Sequence, residues 1–358
     1  MGAAATSRFH RLWVTAVDRL TDDSVALTFA VPPELREEYR FAPGQHLAIR
    51  RYAEDGAEIR RTYSVCSPAL GTSGPAEVRV GVRLVEGGEF SPYAHKELAV
   101  GDELEVMTPA GRFILEPRPG HFAAVVGGSG ITPVLSIAST LLAREPEARF
   151  CLIRSDRSAA STMFLEEVAD LKDRYPQRFQ LVTVLSREEQ QAGLPSGRLD
   201  EERLTGLLPA LLPVGEIDGW FLCGPFGLVQ GAERALRGLG VRRARIHEEI
   251  FHVDAAPAPV SSLPTPAHST VTAQLDGRAG SWPVQDGESL LETVLRNRPD
   301  APYACKGGVC GTCRAFLVSG EVRMDRNFAL EPEETEAGYV LACQSHPATE
   351  QVELDFDR

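Results

Sequence analysis

Apolar and polar residues alternate along this chain with two different periods, and the change from one to the other divides it. From Glu77 to Leu84 the sequence Glu77-Val78-Arg79-Val80-Gly81-Val82-Arg83-Leu84 alternates with period two, as in a strand buried on one face. Similar short runs broken by Gly and Pro fill the region up to Glu116 and predict an antiparallel β-barrel. Pro117, Arg118, Pro119 and Gly120 then interrupt the chain. Beyond them an apolar run ends at Val126, a glycine loop follows, a helical stretch runs from Ile131 to Arg144, and Phe150-Cys151-Leu152-Ile153 is apolar again. Strand, helix and strand in that order predict a parallel sheet with crossover helices, an α/β domain. From Val253 to Ala267 the chain holds four prolines and little that can pack. That stretch reads as a semi-rigid linker, reaching about 45 Å at ~3.1 Å per residue. After it, a hairpin turn at Asp276-Gly277 and a short helix with Leu290, Leu291, Val294 and Leu295 on one face predict a small α+β domain. The expected domains are therefore 1–116, 117–252 and 268–358, joined by a linker at 253–267, with no internal repeat.

Composition narrows the function classes. A length of 358 residues suits two or three domains with their own cores. The net charge of −13 argues against nucleic acid, whose binding rests on neutralised phosphates. Over half of that charge lies after the linker, where His268–Arg358 holds 15 Asp and Glu against 8 Lys and Arg. This excess either steers a basic partner surface or serves solubility. No run of about 18 apolar residues offers a membrane span. Met1–Ser7 has no basic or apolar leader pattern, so the expected location is cytoplasmic, with Cys66, Cys151 and Cys223 as free thiols.

The other four cysteines carry the sharpest chemistry. Cys305, Cys310, Cys313 and Cys343 read C-x4-C-x2-C with a fourth cysteine 30 positions on, the plant-type ferredoxin spacing for a [2Fe–2S] cluster. Gly307, Gly308 and Gly311 let backbone N–H groups approach the sulfurs. The alternatives are a structural zinc site, which usually takes paired C-x2–4-C knuckles, and a disulfide framework, which seven cysteines do not suit.

Gly127-Gly128-Ser129-Gly130-Ile131-Thr132-Pro133 follows a buried strand and opens a helix. Its N–H groups and the helix N-terminus form an anion site for a dinucleotide pyrophosphate, though a tight strand-to-helix turn needs such a loop too. Arg61-Thr62-Tyr63-Ser64 ends a strand, and Glu86-Gly87-Gly88-Glu89-Phe90-Ser91 follows the next one. Together these stretches resemble the ferredoxin-NADP reductase superfamily. The resemblance extends over nearly the whole chain through Cys223-Gly224-Pro225, Ser186-Arg187-Glu188, Glu249-Ile250-Phe251 and the cysteine-rich segment.

The resemblance implies a fold and a set of roles. The fold would be multidomain, with an antiparallel β-barrel for FAD, a parallel α/β domain for NAD(P) and a β-grasp [2Fe–2S] ferredoxin domain. For FAD, Arg61 would neutralise the pyrophosphate, Tyr63 stack on the isoalloxazine and Ser64 hydrogen-bond flavin N5, with Gly88 and Ser91 also on the pyrophosphate. Gly127, Gly128, Gly130, Thr132 and Pro133 would hold the dinucleotide, and Cys223, Gly224 and Pro225 would lie beside the nicotinamide. Ser186 and Arg187, assisted by Arg157 and Arg198, would bind a 2′-phosphate and favour NADPH over NADH. Phe251 either covers the flavin or closes the domain as an apolar contact. Ser64 and Cys223 are the expected catalytic positions, and Cys305, Cys310, Cys313 and Cys343 the metal ligands.

The implied activity is an NAD(P)H-dependent oxidoreductase that feeds an oxygenase component, of diiron type, with no nucleic-acid or membrane partner. Within the superfamily Ala304–Arg314, Asn327–Pro332 and Leu341–Pro347 look most like one group of oxygenase reductases. Reductases of ketosteroid or ring hydroxylases are the alternative within the class, and a non-enzymatic redox sensor the alternative outside it. Flavin converts a two-electron hydride into single electrons, so the electron count calls for no protein acid or base. The eight histidines show no metal-ligand spacing, and Glu331, Glu333, Glu334 and Glu336 read as a solvated loop or helix start.

Overall fold

The computed structural model describes residues 9–71, 73–188, 196–252 and 269–358. The predicted linker at 253–267 lies outside the described residues. The chain divides into two compact units, one before that stretch and one after it.

The first unit opens with six strands: β1 (Phe9–Thr21), β2 (Ser24–Ala30), β3 (His46–Tyr52), β4 (Glu58–Ser64), β5 (Glu77–Arg83) and β6 (Glu103–Met107). They pair antiparallel in the order β4-β3-β6-β1-β2-β5. A bridge between Val65 and Val80 joins the two edges, so the sheet curls into the expected barrel. Period-two alternation puts Val78, Val80 and Val82 inside with Leu12, Leu27, Phe29, Leu47 and Val106. A short helix, α1 (Ser91–Lys96), follows the Gly87-Gly88 turn.

The same unit continues into β7 (His121–Gly127), α2 (Ile131–Arg144), β8 (Arg149–Asp156), α3 (Leu165–Arg174), β9 (Phe179–Leu185), α4 (Glu201–Leu211), β10 (Gly219–Pro225), α5 (Phe226–Gly238) and β11 (Ile246–His252). All five strands are parallel, in the order β11-β10-β7-β8-β9. The order reverses between β7 and β10. Ligands of open parallel sheets bind outside the carboxyl ends at such a switch point, and both the glycine loop and Cys223-Gly224 stand there.

Barrel and parallel sheet pack through α2. Its Ser136 hydroxyl donates to the Ser67 carbonyl at 2.7 Å, and its Thr140 hydroxyl accepts from Ala69 N–H at 2.9 Å. Gly81 on β5 permits the approach, since a Cβ there would meet Thr132 at 2.7 Å and the Phe164 ring at 2.9 Å. Phe164 is buried in the left-handed region with φ of 54°, which costs a non-glycine residue on the order of 1–3 kcal/mol. Burying an aromatic ring at this contact offsets that strain.

The second unit is a five-stranded sheet with one main helix. Its strands are β12 (Thr270–Leu275), β13 (Arg278–Pro283), β14 (Arg314–Ser319), β16 (Tyr339–Leu341) and β18 (Gln351–Asp355), ordered β13-β12-β18-β14-β16. A two-stranded sheet adds β15 (Val322–Met324) and β17 (Ser345–Pro347). The predicted turn joins β12 to β13, with Asp276 and Gly277 at φ of 53° and 69°, as a two-residue hairpin requires. Helix α6 (Leu290–Asn297) starts at a capping box of Ser289 and Glu292 and buries Leu290, Leu291 and Val294. The acidic stretch forms a short helix, α7 (Pro332–Glu336).

Candidate functional site

Two cross-strand pairs, one from each sheet of the first unit, meet at a buried carboxyl. His46 and Ser64 are register partners on β3 and β4, so their side chains share one face of the barrel wall. Cys223 and Glu249 are partners on β10 and β11. Ser64 Oγ lies 3.4 Å from Glu249 Oε2, Cys223 Sγ lies 3.9 Å from the same oxygen, and His46 Nδ1 lies 3.9 Å from Oε1. Ser64 and Cys223, expected at the reacting atoms, are thus brought together across 159 positions of chain by a residue absent from the expected set.

Burial dominates the electrostatics of this pocket. It pushes the Glu249 carboxyl up to about 8, against hydrogen bonds from Ser64 and Cys223 that pull it down. It pushes the Cys223 thiol well above its usual range, with the carboxyl beside it acting in the same direction. Cys223 is therefore a neutral thiol that can hydrogen-bond and pack, not a thiolate nucleophile.

The flavin-motif residues line the barrel next to this pocket. Tyr63 stacks at a tilt on Phe90, with 5.4 Å between centroids, and burial raises its phenol above the usual range. Arg61 is half exposed and pairs with Glu89. Gly88 lies 3.1 Å, as a Cβ, from the Ser91 hydroxyl, which accepts from Val85 N–H at 3.0 Å. Phe251 is partly buried and packs against the core of the first unit.

The glycine loop leaves no room for side chains. A Cβ on Gly130 would fall 2.1 Å from the Cys223 carbonyl oxygen, and one on Gly224, whose φ is 144°, would fall 2.9 Å from Gly127 N. Gly128 turns with φ of 54°. Thr132 caps the loop by donating to the Ser129 carbonyl at 2.9 Å, and Pro133 occupies the first turn of α2. Farther along the sheet edge, Ser186 N–H and Arg187 N–H donate to the carbonyls of Asp156 and Arg157, each at 2.9 Å. That seam sets Ser186, Arg187 and Arg157 side by side at the strand ends. Arg198 is exposed near them. Arg83 lies outside the expected set, yet its guanidinium stands over Gly128, where a Cβ would come within 2.8 Å. Asp23 holds both Arg83, at 3.2 Å, and Arg157.

In the second unit the four cysteines form two pairs. Cys305 acts most strongly on Cys310 and Cys343 on Cys313, and weaker effects run from Cys310 to Cys313 and from Cys305 to Cys343. The Cys310 contact, with backbone N–H groups of Gly307 and Val309, draws the Cys305 thiol down to about 6, while its partner Cys310 is pushed up. Gly307 N–H donates to Cys305 Sγ at 3.3 Å. Gln344 spans the loop, donating to the Lys306 carbonyl at 2.8 Å. Among the described residues no three such ligands converge on one point. Two pairs of thiols with backbone donors to the sulfurs fit a two-iron cluster, which takes two thiolates on each iron.

Comparison with known proteins agrees with this layout. Residues 11–114 match the oxidoreductase FAD-binding domain, 125–234 the oxidoreductase NAD-binding domain and 273–348 the 2Fe-2S iron-sulfur cluster binding domain. The chain is 44% identical over 353 residues to one of the subunits of the 1,2-phenylacetyl-CoA epoxidase of Escherichia coli, covering 98% of each. It is 34% identical to the ferredoxin reductase component of the 3-ketosteroid-9-alpha-monooxygenase of Rhodococcus rhodochrous, covering 98% of this chain and 97% of that protein. Phthalate dioxygenase reductase has the same fold, with a TM-score of 0.61, 24% identity and coverage of 97% and 98%. No helix among the described residues is long and apolar enough to cross a membrane. The chain belongs to the ferredoxin-NADP reductase superfamily, among the oxygenase reductases that carry a [2Fe–2S] ferredoxin domain after their flavin and nucleotide domains.

Proposed function

We propose that this reductase carries electrons from NADPH to the oxygenase component of a phenylacetyl-CoA epoxidase, a diiron protein, in the cytoplasm. The observation that carries the reading is the presence of both the Ser64–Cys223 pocket and the paired thiols in one chain that is 44% identical, along 98% of its length, to a component of such an epoxidase. Bound flavin supplies the conversion of hydride into single electrons. The chain supplies alignment. Residues 1–116 hold FAD through Arg61, Tyr63, Ser64, Gly88 and Ser91, and residues 117–252 hold the dinucleotide through Gly127, Gly128, Gly130, Thr132 and Pro133. Cys223, Gly224 and Pro225 seat the nicotinamide at the switch point, where Ser64 faces it from the barrel. Ser186 and Arg187 favour the 2′-phosphate, and Phe251 closes the pocket by packing. Residues 268–358 hold the cluster through Cys305, Cys310, Cys313 and Cys343, tethered by 253–267.

Replacing Cys310 with Ser tests the division of labour. The variant loses cluster absorbance and reduction of one-electron protein acceptors, while NADPH still reduces its flavin at the unaltered rate. Loss of both together would sink the modular reading. Mixing the unaltered protein and NADPH with a phenylacetyl-CoA epoxidase oxygenase and, separately, with a 3-ketosteroid oxygenase decides the partner: preferential turnover with the second would replace the first.

A further inference from the structure

The electron count asks for no protein acid, yet the pocket holds a buried carboxyl beside a buried imidazole. His46 opens β3 and is 3% exposed. Its backbone exchanges hydrogen bonds with Ala110 at 2.8 and 2.9 Å. Gly111 presses on the ring so closely that a Cβ there would lie 2.7 Å from Nδ1. Ser64 stands opposite on β4. Nδ1 faces Glu249 Oε1 at 3.9 Å, and Nε2 is buried with no hydrogen-bond partner among the described residues. A Phe or Leu would fill such a space without burying an unpaired nitrogen, so packing alone does not account for an imidazole.

We propose that His46 is a positioning residue for hydride transfer, which holds the Glu249 carboxyl toward Ser64 and Cys223. The proposal rests on the reading of Ser64 and Cys223 as the hydride pocket. The groups acting on the carboxyl are Ser64 from β4, Cys223 from β10 and His46 from β3, and neither arginine nor lysine is among them. Burial pushes Glu249 up to about 8 and His46 down to about 4. Between those values a protonated Glu249 faces a neutral His46, with no net charge. Above about 8 the proton is lost and the pair carries a negative charge. Hydride arrives with negative charge of its own, and in a site shielded from water the two repel. The hydride step therefore slows as pH rises through that value.

Infrared spectra of the intact holoprotein, labelled with 13C at the glutamate side-chain carboxyl, test this. The protonated-acid band missing from Glu249→Gln reports this one group. In the unaltered protein it bleaches with a midpoint of about 8. His46→Phe keeps a ring in place and removes both nitrogens, leaving the carboxylate no proton acceptor or donor on that side. Its midpoint rises by about one pH unit or more, a tenfold change in proton affinity, and the alkaline limb of the stopped-flow flavin-reduction rate moves with it. His46→Gln restores a polar atom and recovers part of the shift; it also serves where Phe disturbs folding. A midpoint that stays put or falls in both variants, or the absence of a protonated Glu249 at neutral pH, overturns the proposal. Ser64→Ala separates the two readings: unchanged hydride transfer in that variant would remove the pocket assignment while leaving the infrared titration intact.

Discussion

Arg187 is the residue proposed to select the nucleotide. Its backbone is tied to the Arg157 carbonyl at 2.9 Å while its side chain is open to solvent, so it can meet a phosphate without giving up an internal bond. Arg187→Ala is expected to raise KM for NADPH about ten- to a hundredfold, the loss of ~1.5–3 kcal/mol of charged hydrogen bonding, with little change for NADH. Steady-state kinetics with both nucleotides check it, and an unaltered enzyme that prefers NADH refutes the assignment. Residue types at fixed spacing make the cluster cysteines legible in the sequence, because three of the four stand on one short loop and the fourth follows 30 positions on. Glu249 stands out there as the acidic residue that the superfamily resemblance places near Phe251, with no role assigned to it. Its bond to Ser64 joins residues 185 positions apart, and His46 reaches it from a third strand, so nothing local marks the three as one site.

At the scale of elements, helix α2 shows why periodicity is informative where it is. The glycine loop before it, Pro133 in its first turn and Arg144 in its last all act within the helix itself, and its bounds of Ile131–Arg144 are those the periodicity predicts. The hairpin turn at Asp276-Gly277 is legible for the same reason. Packing between elements is not. Gly130 has φ of −61°, a value open to any residue, and only the fold shows that the Cys223 carbonyl fills the space beside it. Gly130→Ala therefore has to push two backbone segments apart, an overpacking cost of about 1–3 kcal/mol. The expected result is a rise of about tenfold in KM for NADPH, within that range, with FAD content retained. Gly227→Ala on α5 is the control, since a Cβ there meets nothing within 4 Å. Equal losses at both positions would show that the glycine loop's seat against Cys223 does not explain them.

The whole molecule is charged unevenly, with 15 Asp and Glu against 8 Lys and Arg from His268 onward. If this surface guides the oxygenase, added salt slows electron delivery from cluster to partner far more than hydride transfer, because attraction is screened within about 10 Å at 0.1 M ionic strength. Stopped-flow traces of flavin reduction and of cluster oxidation at two salt concentrations separate the steps. Equal sensitivity would leave the charge with solubility alone. The order of strands is less accessible from sequence than charge, since β18 is the last strand along the chain yet lies between β12 and β14. Its parallel pairing with β12 joins Thr270 to Gln351 across 81 positions. That placement has a biosynthetic consequence. On the ribosome the flavin and nucleotide domains emerge first and can fold as a unit, and all four cluster cysteines leave the exit tunnel before Gln351–Asp355 does. The sheet that supports their loop lacks its middle strand until then, so the loop gains its full support only after the flavin and nucleotide domains have emerged.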